Sequence, residues 1–562
     1  MVQGTFAGTD SAGSGLSGAR FFPALLAAGL LAGCAGAGSG TTASTAAVEP
    51  GAGQSAFGAA DCTGLASHAP GPDAITLPSR GVRIEEARRV TDGARAFCEV
   101  TGAIVSMDEG DPPVRVRINL PDGWNGKAVQ FGGGGFDGKL VTAQGAIANG
   151  PEDAAPLAAG YVTFGSDGGH TGASPFDGSF GMNETAMQNY LGASVKRARD
   201  AAFAIASHYY GAAPGRTYFV GGSKGGHEAL VAAQRYGEDY DGIVAYYPAQ
   251  LLTPVWHRLW QAAYAQPGRA LDSAQQALLK SAVLRACDGL DGLEDGIVGN
   301  TKACETAFDV TTLLCPETED ASAQCLSQGQ IDALRVAAHP VQFDFPFAQG
   351  IERMGPFPVF EGGDLGGFYM DETGSDGTKT AYYGFNSGVI KYFITRDPEA
   401  RVEDFDETRW QDRIQTLSAI WDAKDPDLDS FRGAAGTGEG HGRSGKLILI
   451  QGSTDMAVPP AETNAYFRSL EERYAGGLEH FARYYLVPGF GHGHGAFTLK
   501  WDALGALDRW VEQGIAPQRP IGIDGADETG PRSRPLCRFP AYPRYRGTGA
   551  PDAAASFECA RP

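Results

Sequence analysis

The chain has 562 residues, with 45 Lys and Arg against 66 Asp and Glu, a formal charge of −21. With 43% hydrophobic and 10% aromatic residues it can bury a large core, which excludes a disordered chain. No Lys/Arg run breaks the acidic balance, which excludes a nucleic-acid surface, since that needs clustered cations.

The first feature along the chain is the apolar run Phe21–Ala32. It is too short for a bilayer span, which takes roughly 20 residues, and reads as a signal-peptide core. It ends in Leu31-Ala32-Gly33-Cys34, which resembles a bacterial lipobox. On that reading residues 1–33 are removed and Cys34 is lipidated; an ordinary secretory signal or a buried helix is the alternative. Residues 34–58 are a tether of small residues with nothing to pack. The expected location is outside the cytoplasm: anchored in the outer membrane, periplasmic or extracellular. Membrane contact is expected only through the lipidated N-terminus, and no obligate protein partner is expected. Besides Cys34 there are eight cysteines: Cys62, Cys98, Cys287, Cys304, Cys315, Cys325, Cys537 and Cys559. An even set in an exported chain reads as disulfides. Sequence leaves their connectivity open, with neighbours in order a workable pairing.

From about residue 100, β-rich runs alternate with helical ones. Strands are expected at Lys127–Phe131, Tyr161–Phe164, Thr217–Val220 and Gly242–Tyr247, with helices over Asn189–Tyr210 and Lys224–Tyr236. The alternation breaks between 252 and 432, a stretch with Trp, Phe and four cysteines that reads as an inserted lid. A linker over 433–444 leads back to strand Lys446–Gln451, a helix near Pro460–Tyr474, strand Ala482–Val487 and a helix over Thr498–Gln513. Strands separated by helices imply the α/β class: a mostly parallel, doubly wound sheet covered on both faces. Residues 59–251 and 433–562 would form that body, with 252–432 as the lid and its acidic loop.

Gly221-Gly222-Ser223-Lys224-Gly225-Gly226 matches G-x-S-x-G between a predicted strand and helix. In that context the turn is so tight that small residues must flank the serine, which is presented above the sheet as a nucleophile. A serine nucleophile needs a base, and the base an orienting carboxylate. Asp455 follows the strand Lys446–Gln451 and His492 follows Ala482–Val487, both at carboxyl ends of strands, where open α/β sheets place their sites. His494 is the main competitor; His227 and His170 are weaker ones. The oxyanion hole should use the backbone N–H of Lys224 and one from Gly132–Gly135, whose glycines let bare backbone approach a ligand.

Between Cys287 and Cys304, the aspartates Asp288, Asp291 and Asp295 are punctuated by glycines. Hard oxygens around one centre suit calcium; a solvated acidic turn pinned by a disulfide is the alternative.

These segments together are similar to the tannase/feruloyl esterase family of α/β-hydrolases, from about Cys62 to the C-terminus. Carrying the resemblance are GGGGFDG (132–138), SDGGH (166–170), TYFVGGSKGG (217–226), YDGIVA (240–245), CDGLDGLEDGIVGNTKAC (287–304), DPDLDSF (425–431), LVPGFGH (486–492), SRPLC (533–537) and FECA (557–560). It implies the α/β-hydrolase fold, a Ser223–Asp455–His492 triad and an oxyanion hole from Gly135 and Lys224. It also implies structural calcium (Ca2+) on Asp288, Asp291 and Asp295 with the carbonyls of Leu293 and Ile297. The lid is expected to close over an aromatic acyl group, with Phe385 as a ring-clamping residue. Two departures stand out. Where the family usually has a disulfide-linked cysteine pair beside the serine and the histidine, this chain has Gly222 and Gly493. A lid arginine that holds a free substrate carboxylate in one family member is matched by Ala381, with Lys379 nearby.

The expected function is a serine carboxylic-ester hydrolase acting on small-molecule esters of hydroxycinnamic, gallic or related aromatic acids. An esterase for aliphatic esters such as hydroxyalkanoate oligomers is the alternative, and a non-catalytic surface lipoprotein a third.

Overall fold

The computed structural model describes residues 61–92, 95–251, 255–317, 320–433, 444–526 and 532–562. The predicted leader, Cys34 and the tether lie outside the described residues, as does most of the 433–444 linker.

A nine-stranded sheet forms the centre. Its strands are β1 (Val82–Asp92), β2 (Arg95–Ile104), β3 (Val114–Pro121), β4 (Lys127–Phe131), β5 (Val162–Ser166), β6 (Arg216–Gly222), β7 (Gly242–Tyr246), β8 (Lys446–Gly452) and β9 (Ala482–Val487). In space they run β1-β2-β3-β5-β4-β6-β7-β8-β9. The pairs from β1 to β5 are antiparallel, and from β5 to β9 every neighbouring pair is parallel.

Strands β6, β7 and β8 read as continuous apolar runs because both faces are covered. Successive side chains point to opposite faces. Tyr218, Val220, Val244, Tyr246, Ile448 and Ile450 pack with Leu504, Leu507 and Trp510 of the helix Ala503–Gln513. Phe219, Ile243, Ala245, Leu447 and Leu449 pack with Leu230 of the helix Lys224–Arg235 and Tyr466 of the helix Pro460–Arg473. Strand β3 instead turns Val114, Val116, Ile118 and Leu120 toward Ala198, Ala201 and Ile205 of the helix Ser194–Tyr210.

The last predicted helix starts later than Thr498. Leu499 and Lys500 pair with Asp524 and Ile523, and the Asp502 side chain caps a helix that begins at Ala503 by accepting from the Gly505 N–H at 2.8 Å. The eight cysteines besides Cys34 pair in chain order: Cys62–Cys98, Cys287–Cys304, Cys315–Cys325 and Cys537–Cys559.

The segment after β7 builds its own core from Leu279, Ile331, Leu334, Tyr369, Tyr382, Phe393 and Ile414, joined by Phe136 and Tyr190 of the body. Ala423, Leu428 and Phe431 pack with the sheet instead, so the end of this segment is built into the body. No helix among the described residues is long and apolar enough to cross a membrane.

Candidate active site

Ser223 occupies the single residue between the end of β6 and the start of the helix Lys224–Arg235, at φ 59° and ψ −119°. This is a costly conformation for a residue with a Cβ, and it persists only where the surroundings hold it. Here the Ser223 N–H donates to the Tyr246 carbonyl at 3.1 Å. The Ser223 carbonyl accepts from His227 at 3.0 Å and Ala249 at 3.1 Å. A Cβ on Gly221 would stand 2.4 Å from the Gly225 carbonyl oxygen, and one on Gly226 2.5 Å from that of Tyr246. The flanking glycines are therefore steric requirements of the turn.

Asp455 and His492 sit on the loops after β8 and β9, and the two loops meet. His492 Nδ1 donates to Asp455 Oδ2 at 3.0 Å. Asp455 is fully buried, and its other oxygen accepts the N–H groups of Ala457 at 2.8 Å and Val458 at 2.9 Å. Gln451 Nε2 adds a bond to Oδ2 at 3.2 Å. The carboxylate is thus satisfied by fixed donors and can orient an imidazole without moving. Of the rival histidines, His227 is buried and donates Nε2 to the Trp421 carbonyl at 2.7 Å. His170 does the same to the Phe136 carbonyl at 2.7 Å, and burial lowers its pKa to about 4. His494 is exposed. Among the described histidines, only His492 bonds Asp455, and no described residue bonds the Ser223 hydroxyl. The last step of such a relay commonly tightens only once substrate binds.

The glycine run after β4 divides its backbone donors. Gly132 N–H donates to the Val220 carbonyl at 3.0 Å and Gly133 N–H to Glu228 Oε2 at 2.9 Å. Among the described residues, the N–H groups of Gly135 and Lys224 make no bond, which leaves both for a ligand oxygen. Gly135 has φ +61°, and a Cβ there would lie 2.7 Å from the Pro175 carbonyl oxygen.

The Lys224 side chain does not face the substrate side. It is buried and pairs with Glu228 at 2.9 Å, with its ammonium 4.4 Å from the centre of the Tyr190 ring. Glu228 therefore ties the start of this helix to the glycine run: one oxygen takes the Lys224 ammonium and the other takes the N–H of Gly133, two residues before Gly135. Asp137 completes the cluster, 3.6 Å from Lys224 Nζ. Burial and the neighbouring Glu228 push its carboxyl well above the usual range, with Lys224 opposing.

Phe385 stands on the lid helix Ala381–Gly388, edge-on to Phe136 at 5.3 Å and to Phe176 at 4.9 Å, with Trp256 at 5.4 Å. Phe136 directly follows the glycine run, so the aromatic cluster adjoins the two free donors. Ala381 opens the same helix, and Lys379 is held by Asp376 at 3.1 Å.

The acidic loop Cys287–Cys304 is farther along the lid segment. Asp288 spends both oxygens on the N–H groups of Asp295 at 3.1 Å and Gly296 at 2.9 Å. Asp295 pairs with Arg534 at 2.5 Å and accepts the Ile297 N–H at 3.2 Å. Asp291 is buried and accepts the Leu293 N–H at 3.1 Å. Among the described residues, no group of three or more His, Cys, Asp or Glu side chains is disposed to hold a metal ion. The loop has the donors that suit calcium but does not present them as a ready-made ligand set.

Sequence reasoning missed Glu228, although its spacing of four from Lys224 on one helix was a readable signal. It also missed Tyr247 and Asn149, which lie against His492 and its loop, and no pattern in the sequence marks either.

Residues 98–560 match the family described as tannase and feruloyl esterase. The chain is 34% identical to an uncharacterized esterase of Agrobacterium fabrum, over 89% of this chain and 93% of that protein. It is 30% identical to the mono(2-hydroxyethyl) terephthalate hydrolase of Piscinibacter sakaiensis, over 83% of this chain and 85% of that protein. Its fold is similar to the crystal structure of feruloyl esterase B from Aspergillus oryzae, with a TM-score of 0.69 and 19% identity over 85% of this chain and 97% of that one. The chain belongs to the tannase and feruloyl esterase family, and is an α/β-hydrolase and a carboxylic ester hydrolase.

Proposed function

We propose that the protein hydrolyses esters of aromatic acids through a Ser223–His492–Asp455 triad. The observation that carries the triad is the pairing of a strained Ser223 at the end of β6 with the Asp455–His492 bond of 3.0 Å on the loops after β8 and β9. Ser223 attacks the ester carbonyl and His492 takes its proton, then gives it to the leaving alcohol. Asp455 holds the imidazole and stabilises its charged form. The N–H groups of Gly135 and Lys224 hold the oxyanion, where each such donor lowers the barrier by about 2.7–4 kcal/mol. Water then repeats the cycle on the acyl-enzyme.

An aromatic acyl group is favoured because Phe385, Phe136 and Phe176 adjoin those donors, and ring-on-ring contacts add about 0.5–1.5 kcal/mol beyond buried area. Neutral aromatic esters rank ahead of mono(2-hydroxyethyl) terephthalate, since Ala381 offers no cation and Lys379 is taken by Asp376. Export, with anchoring through Cys34, belongs to the same reading. Its support is the four disulfides, which suit an oxidising compartment.

Calcium on Asp288, Asp291 and Asp295 with the carbonyls of Leu293 and Ile297 is proposed as a structural ion, supported by the donor chemistry of the loop. It takes no part in the reaction steps. Elemental analysis should find one equivalent, and a chelator should lower the Tm until calcium is restored. A metal-free protein with an unmoved Tm removes the ion from the account.

The reading is tested by assaying the mature protein, with Ser223→Ala alongside, on methyl ferulate, methyl gallate, mono(2-hydroxyethyl) terephthalate and p-nitrophenyl butyrate. Turnover of an aromatic-acid ester that vanishes in Ser223→Ala is expected. Turnover of the butyrate alone would make it a general esterase.

A further inference from the structure

Two glycines flank the proposed chemistry, Gly222 before Ser223 and Gly493 after His492, and one aromatic ring spans both. A Cβ on Gly222 would lie 2.8 Å from Tyr247 Cε2 and 2.9 Å from the Tyr247 hydroxyl. A Cβ on Gly493 would lie 3.3 Å from the same hydroxyl. The ring therefore takes the space that side chains at those two positions would need, and it lies 4.6 Å from the His492 imidazole.

The hydroxyl continues the link. It donates to Asn149 Oδ1 at 2.9 Å, and Asn149 Nδ2 donates to the carbonyls of Gly493 at 3.0 Å and Leu499 at 3.2 Å. At its other end Tyr247 is fixed to the sheet, its N–H donating to the Ile450 carbonyl on β8 at 2.7 Å. Its neighbour Tyr246 accepts from Ser223 N–H at 3.1 Å. Tyr247 and Asn149 both sit in the left-handed region, at φ 32° and 51°, which side-chain-bearing residues keep only where their surroundings fix them. From the lid, Phe368 meets the imidazole edge-on at 5.7 Å.

We propose that Tyr247 and Asn149 are positioning residues that tie the nucleophile turn to the histidine loop and hold His492 over Ser223. They do without a covalent link what the absent cysteine pair would do at Gly222 and Gly493. Burial, and then the charge of Asp455, push the Tyr247 phenol above its usual value, so it remains a donor at any pH used for assay. The inference rests on His492 being the base.

The test uses the full mature enzyme, p-nitrophenyl butyrate and the best aromatic ester of the panel. Tyr247→Phe keeps the ring and loses the link; kcat should fall about tenfold, with KM within about twofold and the Tm unmoved. Asn149→Ala should match it, and the double variant should lose no more than either single one, because the two bonds form one chain. Gly222→Ala should lower kcat by pushing the ring, and that loss should shrink in a Tyr247→Ala background, where the space is open. Full kcat in both Tyr247→Phe and Asn149→Ala, losses that multiply in the double variant, or a fall in Tm without a fall in kcat would overturn the proposal. Ser223→Ala separates the two readings. If it is dead while Tyr247→Phe is fully active, the link alone fails; if it keeps turnover, the triad and the link fail together.

Discussion

The body and the lid of this enzyme hold their functional groups in different ways. In the body, His492 apart, each group is fixed by short-range backbone geometry. Ser223 stands on a one-residue turn, Asp455 is held by the N–H groups two and three residues on, and the free donors belong to a glycine run and a helix start. In the lid, Phe385 is placed by packing alone, against Phe136 and Phe176 from the body and Trp256 from another lid helix. The polar groups proposed to move charge and protons are thus held by fixed backbone donors, while the apolar surface proposed to meet the acyl group is held by side-chain packing. Bond-making and selectivity should respond to different mutations.

The largest effect should come from the body. His492→Ala should lower kcat by about 10^4-fold or more with KM little changed, as removal of a triad member does. A variant within tenfold of the parent would move the base elsewhere. Glu228→Gln comes next, because it unpairs the buried Lys224 and loosens Gly133 at once. Breaking a buried pair on one side costs about 3–5 kcal/mol, to be read by denaturant unfolding, and kcat should fall with it. A stable variant with full kcat would show that the glycine run and the helix start need no common anchor. Phe385→Ala should change selectivity: kcat/KM on aromatic esters should drop about 10–100-fold while the butyrate ester changes little. Equal losses on both esters would erase the contrast between lid and body. The smallest effect belongs to His494→Ala, expected within about twofold of the parent, since that exposed side chain meets no catalytic partner.

Much of the body was legible because its signals are local. β6 and the helix after it are readable from an apolar run, a glycine cluster and a helical spacing, and Ser223 falls between them. Asp455 and His492 follow their strands directly, so chain order was enough to nominate them. Strands β1 to β3 were missed although β1 and β3 alternate charged with apolar residues as half-buried strands do; β2, with Phe97 to Val100 all buried, carries no such period. The helix at Ala503 was placed too early because its signal, the Asp502 cap, was overlooked. The acidic loop shows the limit of composition: the same three aspartates that suit calcium are engaged by N–H groups and Arg534, and only the folded chain shows which partner each carboxylate takes.

The sequence by itself determined the class of fold, the nucleophile turn and the glycine run, because each depends on bonds and spacings within a few residues, and it nominated the proposed triad by the place of each member after a strand. Tertiary structure decided that Lys224 turns inward to Glu228, that Phe385 meets Phe136, and that Tyr247 and Asn149 reach Gly493. Asn149 and Gly493 lie 344 positions apart in the chain. Contacts of that kind leave no periodicity behind. They exist only once the sheet has brought together the loops after β4, β7 and β9.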